Sequence, residues 1–94
     1  DAFFCASDGI AIGAIDGMMQ LGMQVPQDVA VAGFDDFTVS KYIHGGITSV
    51  KQYPYEMGVA CANTVVSMID GNRVPDWIPM EYKLMKRTST KAKL

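Results

Sequence analysis

Histidine, tryptophan and cysteine are scarce in this 94-residue sequence: one His (His44), one Trp (Trp77) and two Cys (Cys5 and Cys61). Zinc sites need Cys and His clustered at short spacing, and here the two cysteines stand far apart with a single histidine between them. Ser–His–Asp chemistry needs a base oriented beside a nucleophile. His44, followed by Gly45-Gly46, instead reads as a solvated loop residue. Gly9-Ile10-Ala11-Ile12-Gly13 is no phosphate cradle, because its glycines sit inside an apolar helical pattern rather than in a turn ahead of one. No enzyme, metal or cofactor is expected.

No apolar run approaches the roughly 18 residues of a membrane span. The start lacks the basic front and cleavage site of a secretory signal, so no membrane contact is expected. It also lacks Met and turns apolar at the second residue, which reads as a piece of something longer. Basic residues are missing from Asp1 to Ser40, a stretch that carries six aspartates, and the net charge is −2. That balance speaks against a nucleic-acid surface within the stretch. The five bases from Lys83 to Leu94 read as a solvated strand and an end that frays over its last six residues, with a nucleic-acid arm as the alternative. Both cysteines lie in apolar segments and read as buried free thiols of a reducing compartment.

What is present is an alternation of strands and helices. Ala2 to Ala6 is a short apolar run that reads as a strand buried on both faces. Ser7-Asp8 follows, and either side chain can cap a helix. From Gly9 to Leu21 the apolar residues Ile10, Ala11, Ala14, Ile15, Met18 and Leu21 recur at helical steps, and Ile12 and Met19 add a second apolar flank. Gly22 suits the left-handed residue that ends a helix. Val29 to Phe34 reads as a second buried strand. Asp35 to Gly46 reads as a loop with one helical turn near Thr38 to Tyr42, and Ile47 to Gln52 as a third strand. Tyr55 to Asp70 is helical again, opened by Pro54 and closed by Gly71-Asn72. Met80 to Thr88 reads as one extended segment. The fold class is α/β with a parallel sheet.

Open parallel sheets bind ligands outside the carboxyl ends of their strands. Two strands here end in polar groups, the first in Ser7-Asp8 and the second in Asp35-Asp36. Ionised aspartate only accepts hydrogen bonds, so this edge suits a guest rich in hydroxyls or amines, such as a sugar or nucleoside. Asp8 reads first as a helix cap, Ser7 equally as cap or ligand, and Asp36 as a loop opener bonding nearby backbone. Asp35, directly behind the buried Phe34, is the strongest ligand candidate by position.

Ala6-Ser7-Asp8, Ala11-Ile12-Gly13-Ala14, Gly22, Val25-Pro26, Asp28-Val29, Gly33-Phe34-Asp35-Asp36, Thr48-Ser49-Val50, Gln52 and the closing KRTST (Lys86 to Thr90) occur together, in order. In this combination the chain resembles the C-terminal part of the effector-binding domain of lactose-repressor-type (LacI/GalR) transcription regulators. The resemblance implies a three-layer fragment of a type I periplasmic-binding-protein-like domain. Residues 1–52 and about 82–90 would form its C-terminal lobe, and about 53–81 would belong to the other lobe. It implies effector contacts from Ser7, Asp35 and Gln52, and a homodimer interface over Ile12, Ile15 and Met19, for which added core packing is the alternative. It also implies a cytoplasmic sugar- or nucleoside-responsive regulator that reaches operator DNA through a helix-turn-helix outside these residues. A periplasmic sugar-binding protein of a transporter shares the fold and is the competing function. Family members often carry Pro where this chain has Gly45-Gly46, so a looser backbone is expected there. The apolar face of the second helix (Met57, Cys61, Val65, Met68) is expected to need cover from outside the chain.

Overall fold

A computed structural model describes residues 1–90. The chain divides into two compact units, one formed by Asp1–Lys51 with the segment from Lys83, the other by Gln52–Tyr82. The expected fraying over the last six residues falls partly on 91–94, outside the described residues.

In the first unit, strand β1 (Ala2–Phe4) leads through Ser7 into helix α1 (Asp8–Gln20), and strand β2 (Ala30–Phe34) follows. Two 3₁₀ turns, Thr38–Lys41 and Ile43–Gly45, precede strand β3 (Thr48–Gln52). Strand β4 (Tyr82–Met85) completes a four-stranded sheet in the order β1-β2-β3-β4. The first two pairings are parallel, Ala2 opposite Ala30 and Ala32 opposite Thr48. The α/β class is as the residue pattern predicts.

α1 forms where Ser7 offers an N-cap, its Oγ accepting the Ile10 N–H at 3.2 Å. It ends at Leu21, beyond which Gly22 takes φ +77°, a conformation that costs a residue without Cβ little. Ala11, Ile15 and Met18 face inward and meet Cys5, Val25, Val29, Val31 and Ile47 in one core. Burial of that kind contributes about 1.5–3 kcal/mol for each large aliphatic side chain. It also holds the Cys5 thiol pKa above its ordinary value, because the thiolate would lose its water.

Several expectations are corrected here. β1 is not buried on both faces: all three of its residues are exposed, Phe4 by 73%. It stands at one edge of the sheet. Ile15, expected in a dimer interface, is 2% exposed and belongs to the core, while Met19 on the same helix is 53% exposed and Ile12 packs partly against the core. The helical period brings Ala11, Ile15 and Met18 onto one face, and Met19, one turn beyond Ile15 at the margin of that face, is left exposed.

Gly45-Gly46 is not a loose stretch. Both residues have positive φ, and a Cβ on Gly45 would lie 2.9 Å from Thr88 Oγ1, one on Gly46 3.0 Å from Arg87 Cδ. The glycines let the segment after β4 pack down on them. Ser89 in that segment is fully buried, so Ser89 and Thr90 do not fray.

The second unit holds helix α2 (Pro54–Ile69), with Pro54 at its first turn and no buried residue. Cys61 is exposed, contrary to the expectation of a buried thiol. It lines an apolar groove of about 340 Å³ with Met57, Val65, Trp77 and Met80. Residues 72–81 form no strand, so the extended segment expected from Met80 to Thr88 narrows to Tyr82–Met85. Among the described residues no helix is long and apolar enough to cross a membrane.

Candidate functional site

β1 and β2 run parallel as neighbours, so the residues that follow them lie at the same edge of the sheet. After β1 comes Ser7, half-buried, its Oγ engaged as the α1 cap. Directly after β2 comes Asp35, exposed, with φ +95°, and Asp36 follows with φ +51°. Two consecutive non-glycine residues with positive φ are uncommon, and such strain persists only where the surroundings fix it.

Here they do. The Asp35 N–H donates to the Val50 carbonyl at 2.9 Å, the Asp36 N–H to Ser49 Oγ at 2.9 Å, and the Phe37 N–H to Asp8 Oδ2 at 2.7 Å. Three successive backbone donors are thus tied to three different anchors. The Asp36 carboxylate meets Arg87 Nη1 at 2.7 Å, with both side chains largely buried. Arg87 Nη1 also donates to the Ile47 carbonyl at 2.9 Å. The paired aspartates after β2 therefore have separate duties, Asp36 turned to Arg87 and Asp35 exposed at the edge.

Asp8 is not a cap. It is the first residue of α1, fully buried, and accepts from the Ser49 hydroxyl at 2.6 Å on Oδ1 and from the Ser40 hydroxyl on Oδ2. Ser7 is the residue that caps. Gln52 ends β3, half-buried, and is the first residue of the second unit. Of the expected effector residues, the sheet edge brings Ser7 and Asp35 to neighbouring strand ends.

Sequence reasoning missed Arg87, which lay inside a run of bases that looked solvated, and it missed Asp8, whose partners lie 29 to 41 positions along the chain. The one sequence signal for Arg87 was its place in KRTST. Locally Asp8 reads as a helix cap, and only its distant partners set it apart from Ser7. Among the described residues no group of three or more His, Cys, Asp or Glu is placed to hold a metal ion.

An open parallel sheet with polar loops at its carboxyl edge defines the ligand-binding class of α/β domains. Residues 1–90 match the periplasmic binding protein-like domain. The chain belongs to this domain family and is a fragment of the effector domain of a LacI/GalR-family transcriptional regulator. The HTH-type transcriptional repressor MelR of Bacillus subtilis (strain 168) is 33% identical over 89 residues, covering 95% of this chain and 26% of MelR. A solved complex of the transcriptional regulator CelR with cellobiose matches with a TM-score of 0.82 and 39% identity, over 95% of this chain and 28% of that one. The Lac repressor dimer bound to operator and the anti-inducer ONPF matches with a TM-score of 0.85 and 27% identity, over 97% and 28%. The chain thus spans about a quarter of the length of these relatives. All three of these relatives are transcriptional regulators.

Proposed function

We propose that the chain is part of the effector-sensing, dimerising domain of a cytoplasmic, sugar-responsive regulator. Asp35 carries the reading. It is an exposed acidic residue, held in a strained backbone by anchored neighbours, at the edge where parallel sheets receive ligands. Sugar hydroxyls are the donors such an acceptor-only group takes, and the similar regulator CelR has been solved with cellobiose. Ser7 adds a hydroxyl donor, since capping α1 uses one of its acceptor lone pairs. Gln52 adds an amide that both donates and accepts.

On this reading residues 1–52 and 82–90 belong to the C-terminal lobe and 53–81 to the other lobe of a longer protein. That protein meets operator DNA through a module outside these residues. The apolar groove on the second unit and the exposed edge of β1 would then be covered by the rest of it. Met19 and Ile12 form part of a homodimer surface. The similarity to a Lac repressor dimer supports that arrangement.

A thermal-shift screen of sugars and nucleosides against the full-length protein tests the reading. A ligand at a hundredfold excess over its Kd stabilises by about 2.7 kcal/mol. In the same protein, Asp35→Ala is expected to weaken the sugar found by about 1.5–3 kcal/mol, the range for a hydrogen bond to a charged group. Unchanged affinity by calorimetry removes Asp35 from the site. Met19→Asp sets an unpaired charge in an apolar contact, at a cost of several kcal/mol if fully desolvated. It is expected to shift the sedimentation profile toward monomer with α1 intact. An unaltered profile takes Met19 out of the interface.

A further inference from the structure

We propose that Asp8 is a positioning residue for the Asp35–Phe37 turn, holding the ligand edge in shape without touching a ligand. This rests on the reading of Asp35 as an effector contact. Asp8 is fully buried at the start of α1, on a different element from the turn it serves.

Its two oxygens reach the turn by two routes. Oδ2 accepts the Phe37 N–H directly at 2.7 Å. Oδ1 accepts the Ser49 hydroxyl at 2.6 Å, and the same Ser49 oxygen accepts the Asp36 N–H at 2.9 Å. A hydroxyl that gives its one proton to Asp8 has only lone pairs left to offer, so the Asp36 N–H is drawn to it. The Ser40 hydroxyl on Oδ2 secures the next turn, Thr38–Lys41, from the same side chain. One carboxylate therefore fixes residues 36, 37 and 40, immediately after the exposed Asp35.

The positive φ angles of Asp35 and Asp36 would relax toward ordinary backbone if those donors were released. The strand supports the same arrangement: Gly33 leaves the space Asp8 occupies, since a Cβ there would lie 2.2 Å from Oδ1. A carboxylate accepts at both oxygens, whereas the amide of Asn accepts at one and donates at the other. Asp8→Asn therefore keeps the volume and breaks the pattern of acceptors.

Amide hydrogen exchange on the full-length protein tests this without a ligand. In Asp8→Asn, peptides covering residues 35–40 are expected to exchange faster by about tenfold or more, while peptides covering β2 change by less than about twofold. A purely structural role would raise both together, and that result, or no change at 35–40, overturns the proposal. If Asp8→Asn fails to fold, Ser49→Ala removes only the relay to the Asp36 N–H and must raise exchange in the same peptides.

The binding arm uses cellobiose and whichever other sugars shift the melting temperature. Asp8→Asn is expected to weaken binding by about tenfold at a temperature where the variant is fully folded. Loss of affinity in Asp35→Ala with none in Asp8→Asn overturns the positioning role alone. Unchanged affinity in Asp35→Ala overturns the reading of Asp35 and leaves the exchange result to decide on Asp8.

Discussion

Replacing Gly33 with alanine is expected to destabilise the protein by about 2–6 kcal/mol, a large loss for one methyl group. In an exposed strand the change would ordinarily be favourable, because glycine loses the most backbone freedom on folding. Here the new Cβ would sit 2.2 Å from Asp8 Oδ1 and 3.2 Å from both Asp8 Cγ and Cα. The carboxylate cannot swing away, since it is fully buried and accepts from Phe37, Ser40 and Ser49. The start of α1 must move off β2, an overpacking cost of about 1–3 kcal/mol, and in moving Asp8 loses its hold on partners and leaves buried donors unmet, about 1–3 kcal/mol more. Urea denaturation of the full-length protein measures the loss. The cause is separable from the size: Gly33→Ala made in an Asp8→Ala background should cost markedly less, because the nearest clashing atom is gone. Equal costs in the two backgrounds would place the strain elsewhere.

Short apolar runs and segments of helical period located three strands and both helices to within a few residues, because each is fixed by its own stretch of chain. Gly22 was legible for the same reason: a helix end needs a left-handed residue, and glycine accepts that at little cost. What stayed hidden depended on partners far along the chain. Asp8 beside Ser7 is locally a choice between two caps, and only the arrival of Ser40 and Ser49 decides that Ser7 caps and Asp8 is buried. Ile15 and Met19 are both apolar and four positions apart. The period alone does not say which of them meets Val31 and which is left outside. Phe3 and Phe4 predict a buried strand by their apolarity alone, yet both are exposed, and apolarity does not reveal what faces a strand. Asp35 reads as a ligand candidate by position and Asp36 as a loop opener bonding nearby backbone, yet the Asp36 carboxylate pairs with Arg87, 51 positions away.

Ser89→Ala carries the other large expected effect, and it bears on how the segment after β4 holds the site. The Ser89 hydroxyl donates to the Val31 carbonyl at 2.5 Å and accepts the Thr48 N–H at 2.8 Å, in a position with no solvent exposure. One hydroxyl thus bridges β2 and β3 where their pairing begins, just before Ala32 faces Thr48. Alanine would leave a buried carbonyl and a buried N–H without that partner, at about 1–3 kcal/mol each. A loss of about 2–5 kcal/mol in urea denaturation is expected. The neighbouring contacts cannot take over. Thr48 Oγ1 is already engaged with the Arg87 N–H at 2.8 Å, the Arg87 carbonyl at 3.1 Å and Thr90 Oγ1 at 2.5 Å. Because Arg87 sits two residues before Ser89 and pairs with Asp36, loosening the segment should also release the second aspartate of the turn. Exchange of the 35–40 peptides is therefore expected to quicken in Ser89→Ala as well, beyond what the fall in global stability accounts for. A destabilisation below about 1 kcal/mol would mean that the strands close the gap themselves and that the KRTST segment is not what holds them.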